Sequence, residues 1–75
     1  MMYELWDGAS GNAIGGFATE AAALAVVRAE VDAGGDDAVR EWFLRRQDGR
    51  GRSRLIGQGA DLVNRAQADA PQPIA

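Results

Sequence analysis

Five arginines crowd the segment Arg45–Arg54, RRQDGRGRSR, around an Asp-Gly pair, in a chain whose net charge is −3. Guanidinium groups pair bidentately with phosphate oxygens, and Trp42 just upstream offers a face on which a base can stack. The chemistry open to Arg45, Arg46, Arg50, Arg52 and Arg54 is therefore contact with an anion or a nucleic acid. The competing reading is a solvated hairpin tip whose charges keep an edge strand from aggregating. The acidic whole-chain balance weighs against nucleic acid, because proteins that grip phosphate backbones are usually basic.

Reaction chemistry finds little to work with. The chain has no histidine, cysteine or lysine. Its hydroxyls are Ser10, Ser53, Thr19 and Tyr3, none beside a credible base. Glu4 and Asp7 are a carboxylate pair, but strand alternation sends them to opposite faces. Asp32, Asp36 and Asp37 cluster without the alternate spacing and distal glutamate of a calcium loop. Gly57-x-Gly59 has Leu62 where a dinucleotide fingerprint needs its third glycine. Gly8, Gly11, Gly15 and Gly16 lack the lysine and hydroxyl of a phosphate loop. No catalytic, metal or cofactor residue is assigned, no cofactor is expected, and the chain reads as a non-enzyme.

What must position these groups is one small domain. A single core at this size stabilises by only about 3–5 kcal/mol. With no cysteine to staple it, stability rests on packing or on an interface that extends the core. All eight basic residues are arginine, which fits coding from a GC-rich genome. Charge is uneven: residues 1–37 hold seven acids against Arg28, and residues 38–75 hold seven arginines against four acids. Such polarity steers encounters with a partner. The first residues lack the basic and apolar stretches of a secretory leader. The longest apolar run, Ala21 to Val27, is far short of the ~20 residues of a membrane span. A cytoplasmic protein with no membrane partner is expected.

The spacing predicts the order ββαββα, an α+β fold with a four-stranded antiparallel sheet made of two hairpins. Tyr3–Asp7 alternates, Gly8–Gly11 turns, and Asn12–Ala18 returns. Pairing Asp7 with Asn12 sets Trp6 opposite Ala13 and Leu5 opposite Ile14. Thr19 caps a main helix over residues 20–33, with Leu24, Val27 and Val31 as its apolar stripe and Gly34-Gly35 as its stop. The segment 38–47 reads either as a helix or as a strand. The apolar match of Phe43 with Ile56 and Leu44 with Leu55 across an Asp48–Gly51 loop decides for a hairpin. Residues 60–70 form a short helix with Leu62, Val63 and Ala66 inward. The domain spans residues 1–70, with a flexible tail at 71–75.

Both faces of that sheet carry apolar side chains. Leu5 and Ile14 oppose Trp6 and Phe17, and Phe43 and Ile56 oppose Leu44 and Leu55. One long helix covers one face, so either the C-terminal helix or another subunit covers the second. Trp6, Phe17, Trp42 and Leu44 are the candidate interface. The pattern YELWD, SGNAIGGF and a DGRGRSRLI hairpin, over Tyr3 to Ala66, resembles small stand-alone bacterial ββαββα domains of uncharacterised function. That resemblance implies a fold and no activity. The resulting expectation is a non-catalytic interaction or structural module, homodimeric through the exposed sheet face. The alternatives are a nucleic-acid regulator using the arginine hairpin, or a small acidic inhibitor of a nucleic-acid enzyme.

Overall fold

The computed structural model describes residues 2–69. The elements are β1 (Met2–Asp7), β2 (Asn12–Phe17), α1 (Glu20–Gly34), a 3₁₀ turn (Asp36–Val39), β3 (Trp42–Gln47), β4 (Ser53–Gln58) and α2 (Ala60–Ala68). The order is ββαββα, and the segment 38–47 resolves into the end of the 3₁₀ turn followed by strand β3. The expected tail at 71–75 lies outside the described residues. No helix among the described residues is long and apolar enough to cross a membrane.

All four strands are antiparallel, in the order β2-β1-β3-β4. The two hairpins therefore join through β1 and β3, with Leu5 opposite Leu44 at the centre. Each hairpin turn is organised by an aspartate. Asp7 accepts through Oδ1 from the Ala9 N–H (3.0 Å) and through Oδ2 from the Ser10 hydroxyl (3.0 Å). Asp48 Oδ1 accepts from the N–H groups of Arg50 (2.8 Å) and Arg52 (3.0 Å). These side-chain bonds hold the backbone in the turn.

Thr19 caps α1 as its type predicts: its Oγ1 accepts from the Ala22 N–H at 3.1 Å. Thr19→Ala should lower the stability of the domain by about 1 kcal/mol, read as a smaller unfolding free energy in urea. At the other end Gly35, with φ 79°, donates its N–H to the Val31 carbonyl at 2.7 Å and stops the helix. The segment then tightens into the 3₁₀ turn, which buries Val39.

α1 lies over β1 and β2, α2 lies over β3 and β4, and the helices pack against each other. Ala23, Leu24 and Val27 of α1, Leu62, Val63 and Ala66 of α2, and Leu5, Leu44 and Val39 make one buried cluster. The core thus sits wholly between one sheet face and two helices. Arg28 of α1 fastens the end of α2, donating from Nη1 to the Ala66 carbonyl at 2.9 Å, with Asp69 3.7 Å away.

Two bulges change which residues reach that core. In the first hairpin Asp7–Asn12 and Trp6–Ala13 pair as expected, but Leu5 pairs with Gly15, leaving Ile14 as the extra residue. Past that point Phe17 pairs with Tyr3 and joins the face of Leu5. In the second hairpin the loop runs from Asp48 to Arg52, one residue longer than expected, and Gln47 pairs with Ser53. Gly51, with φ 81°, takes the left-handed position and lets the Asp48 N–H reach the Arg52 carbonyl at 2.9 Å. Ile56 is then skipped between Leu55 and Gly57. A one-residue slip sends side chains to the opposite face. Here it turns Leu55 outward, while Ile56 packs against the core.

Candidate interaction surface

The face of the sheet away from the helices carries Met2, Glu4 and Trp6 of β1, by alternation from the buried Leu5. On β3 it carries Phe43 and Arg45, flanking the buried Leu44. Their outer neighbours are Ala13 and Gly16 of β2, and Leu55 and Gln58 of β4. Neither helix reaches this face. Met2 is 51% exposed and Leu55 54%.

Trp6 and Phe43 face each other across β1 and β3, with rings stacked 3° from parallel and centroids 6.3 Å apart. Such a pair contributes about 0.5–1.5 kcal/mol beyond its buried area. The Trp6 indole nitrogen is enclosed yet has no hydrogen-bond partner among the described residues. An unmade bond of this kind costs about 1–3 kcal/mol. Trp6 is therefore poorly used as a monomer core residue, and it is only partly buried.

Of the four residues expected at an interface, only Trp6 lies on the open face. Leu44 is 0% exposed at the centre of the core. Phe17 and Trp42 are half-buried and pack on the same side against that core. The reason is parity: the Ile14 bulge carries Phe17 across, and Trp42 pairs with Asp7, two residues along from Leu5. Phe43, Met2 and Leu55 take their place on the open face. The signal for Phe43 is its position as cross-strand partner of Trp6. That follows from β1 pairing with β3, which local alternation does not reveal.

The arginines of the second hairpin diverge. Arg45 points to the open face and donates from Nη2 to the Ser53 hydroxyl. Arg46 and Arg54 pair with each other on the opposite side, and Arg50 and Arg52 belong to the turn. None of these five forms an ion pair among the described residues, whereas Arg28, Arg40 and Arg65 pair with Asp69, Glu41 and Glu20. Phe43, Arg45, Ser53, Leu55 and Gln58 line a shallow depression on the open face.

The remaining sequence features have local roles. Asp36 and Asp37 open the 3₁₀ turn. Gly57 sits under α2, where a side chain would meet the Leu62 backbone at about 3.5 Å. Gly59 makes the turn into α2. The strands around them are antiparallel, so the glycine pair serves close strand–helix packing rather than a βαβ phosphate site. No family model matches the chain, and no curated protein or solved structure matches it.

Proposed function

We propose that this chain is a non-catalytic protein-interaction module that assembles as a homodimer through the open face of its sheet. The observation that carries the reading is the placement of both helices on one side, which leaves the Trp6–Phe43 stack, Met2 and Leu55 uncovered. An apolar sheet face is stabilised by a second layer, and a second copy provides one.

Size sets the expected strength. Four strands ~4.8 Å apart and six residues of ~3.3 Å each make a face of roughly 20 by 20 Å. Two copies then bury on the order of 1,000 Å², at the low end of specific interfaces. That supports a dimer that exchanges in the micromolar range rather than a permanent one. The face is favoured over the edges because both outer strands carry a bulge, at Ile14 and at Ile56, which disrupts the ladder a further strand would extend.

The arginine hairpin supports nucleic-acid contact less well. Its cations project to both sides and to the tip instead of lining one groove, and the chain as a whole is acidic. The acids of residues 1–37 are likewise spread over a strand, a helix and a turn, which gives an acidic-inhibitor reading no single surface.

Sedimentation at micromolar concentration tests the reading. The wild type should sediment as a dimer in exchange with monomer. Trp6→Ala and Phe43→Glu should weaken association by about tenfold or more, as loss of a central aromatic anchor does, while both variants keep the helical circular dichroism of the wild type. A wild type that stays monomeric at hundreds of micromolar would sink the idea.

A further inference from the structure

We infer that the second copy docks with its two-fold axis running along the strands, between β1 and β3, so that Glu4 of each copy meets the partner's Arg45. This rests on the homodimer reading above and specifies its geometry. The open face has two central rows. One runs Gly16, Glu4, Arg45, Leu55 across the four strands, and the other runs Ala13, Trp6, Phe43, Gln58. The only charged side chains in these rows are Glu4 and Arg45, of opposite sign and next to the midline.

A two-fold axis along that midline reverses each row in the partner. Glu4 then lies over the partner's Arg45, and Arg45 over the partner's Glu4. Trp6 lies over the partner's Phe43, aromatic on aromatic. Leu55 comes down on the partner's Gly16, where no side chain projects and Met2 leans in, its sulfur 3.5 Å from the position a Cβ would take. Sheet twist turns the packed strands by about 30° but leaves the pairs nearest the axis in contact. The other in-plane axis, across the strands, sets Glu4 over the partner's Trp6 and Arg45 over the partner's Phe43. That arrangement offers Glu4 and Arg45 no opposite charge from the partner, only each other within their own chain, and seats them on aromatic rings, whereas the first axis adds two charge pairs between the copies. Charge therefore selects the first axis.

Charge reversal with mixing tests the geometry. Glu4→Arg alone and Arg45→Glu alone should each raise the dimer dissociation constant by about tenfold or more, because like charges meet across the axis. Mixing the two variants in equal amounts should restore association to the wild-type level, since both contacts of the mixed dimer again join opposite charges. A wild-type dimer whose reversed variants associate unchanged, or fail to recover on mixing, overturns this axis and leaves the sheet-face reading standing. A monomeric wild type overturns both.

Cross-linking gives a readout that does not depend on charge. The chain has no cysteine, so Gly16→Cys and Leu55→Cys each carry a single thiol, and any bismaleimide product joins two chains. A short bismaleimide should link Gly16→Cys to Leu55→Cys in the mixture and leave Gly16→Cys alone largely unlinked. Efficient self-linking of Gly16→Cys, without the mixed product, is the pattern of the rejected axis.

Discussion

Leu44→Ala should remove most of the stability of this domain. Leu44 is 0% exposed and pairs with Leu5 at the centre of the sheet, beneath both helices. Truncating a buried leucine costs about 2–5 kcal/mol, from lost transfer energy and from the cavity left behind. A single core of this size supplies about 3–5 kcal/mol, so the variant should be substantially unfolded in buffer, with no native baseline in a urea titration. The neighbouring Phe43 offers the contrast. Its ring lies on the open face against Trp6, so Phe43→Ala should cost the monomer only about 0.5–1.5 kcal/mol of pair energy plus its partial burial and act mainly on association. On the proposed dimer, adjacent residues of one strand should thus separate, Leu44 acting on folding and Phe43 on assembly. A Leu44→Ala protein that unfolds within ~1 kcal/mol of wild type would remove Leu44 from the core.

Gly59→Ala should be strongly destabilising, by virtue of the backbone geometry at this position. Gly59 has φ 55° and ψ −123°, and a Cβ there would lie 3.0 Å from the Arg40 carbonyl oxygen. Its N–H donates to the Trp42 carbonyl at 3.0 Å, and its own carbonyl accepts from Val63 at 3.1 Å. The residue ties the start of β3 to the first turn of α2, so it cannot move aside cheaply. Strain at such a position costs about 1–3 kcal/mol, and each kcal/mol lowers the melting temperature of a domain this size by about 4–8 °C. Calorimetry should show that fall. Gly49→Ala is the matched control: nothing lies within 4 Å of its Cβ position and its φ is not positive, so its stability should stay within about 0.5 kcal/mol of wild type.

Much of the local structure was legible from residue types. Thr19 and Gly35 bound α1, because a hydroxyl accepts a free helical N–H and a glycine takes the left-handed backbone. The first hairpin turn was legible from Asp7 to Asn12, and so was the inward face of α2 at Leu62, Val63 and Ala66. The second hairpin was legible as a hairpin but not in its register. Asp48-Gly49 is a strong turn signal, yet Gly51 is the glycine that takes positive φ, and Asp48 binds the backbone as far as Arg52. Two glycines near one aspartate allow turns of two lengths, and only packing against the core selects one.

The candidate surface was legible as a problem rather than as a residue set. Apolar residues on both sides of the strands require cover on both sides, and that follows from alternation alone. Trp6 does lie on the open face, because its partner Ala13 comes before the Ile14 bulge and the expected pairing holds there. Phe17 does not, because a bulge leaves no mark in an alternating sequence and flips every side chain beyond it. Trp42 and Leu44 do not, because β3 joins β1 with Leu44 opposite Leu5, a pairing that alternation within one hairpin does not reveal.

By itself the chain's sequence determined the element types and their order, through caps, turns and apolar spacing that act over a few residues. Only the tertiary structure decided that β1 and β3 lie side by side, that α2 joins α1 on one face, and that Phe43 and Leu55 stand with Trp6 on the other. Those outcomes depend on which distant strands meet and on where the ladder skips a residue. They are settled by the shared burial of Leu5, Leu44 and the two helices, a contact energy that no local stretch of sequence contains.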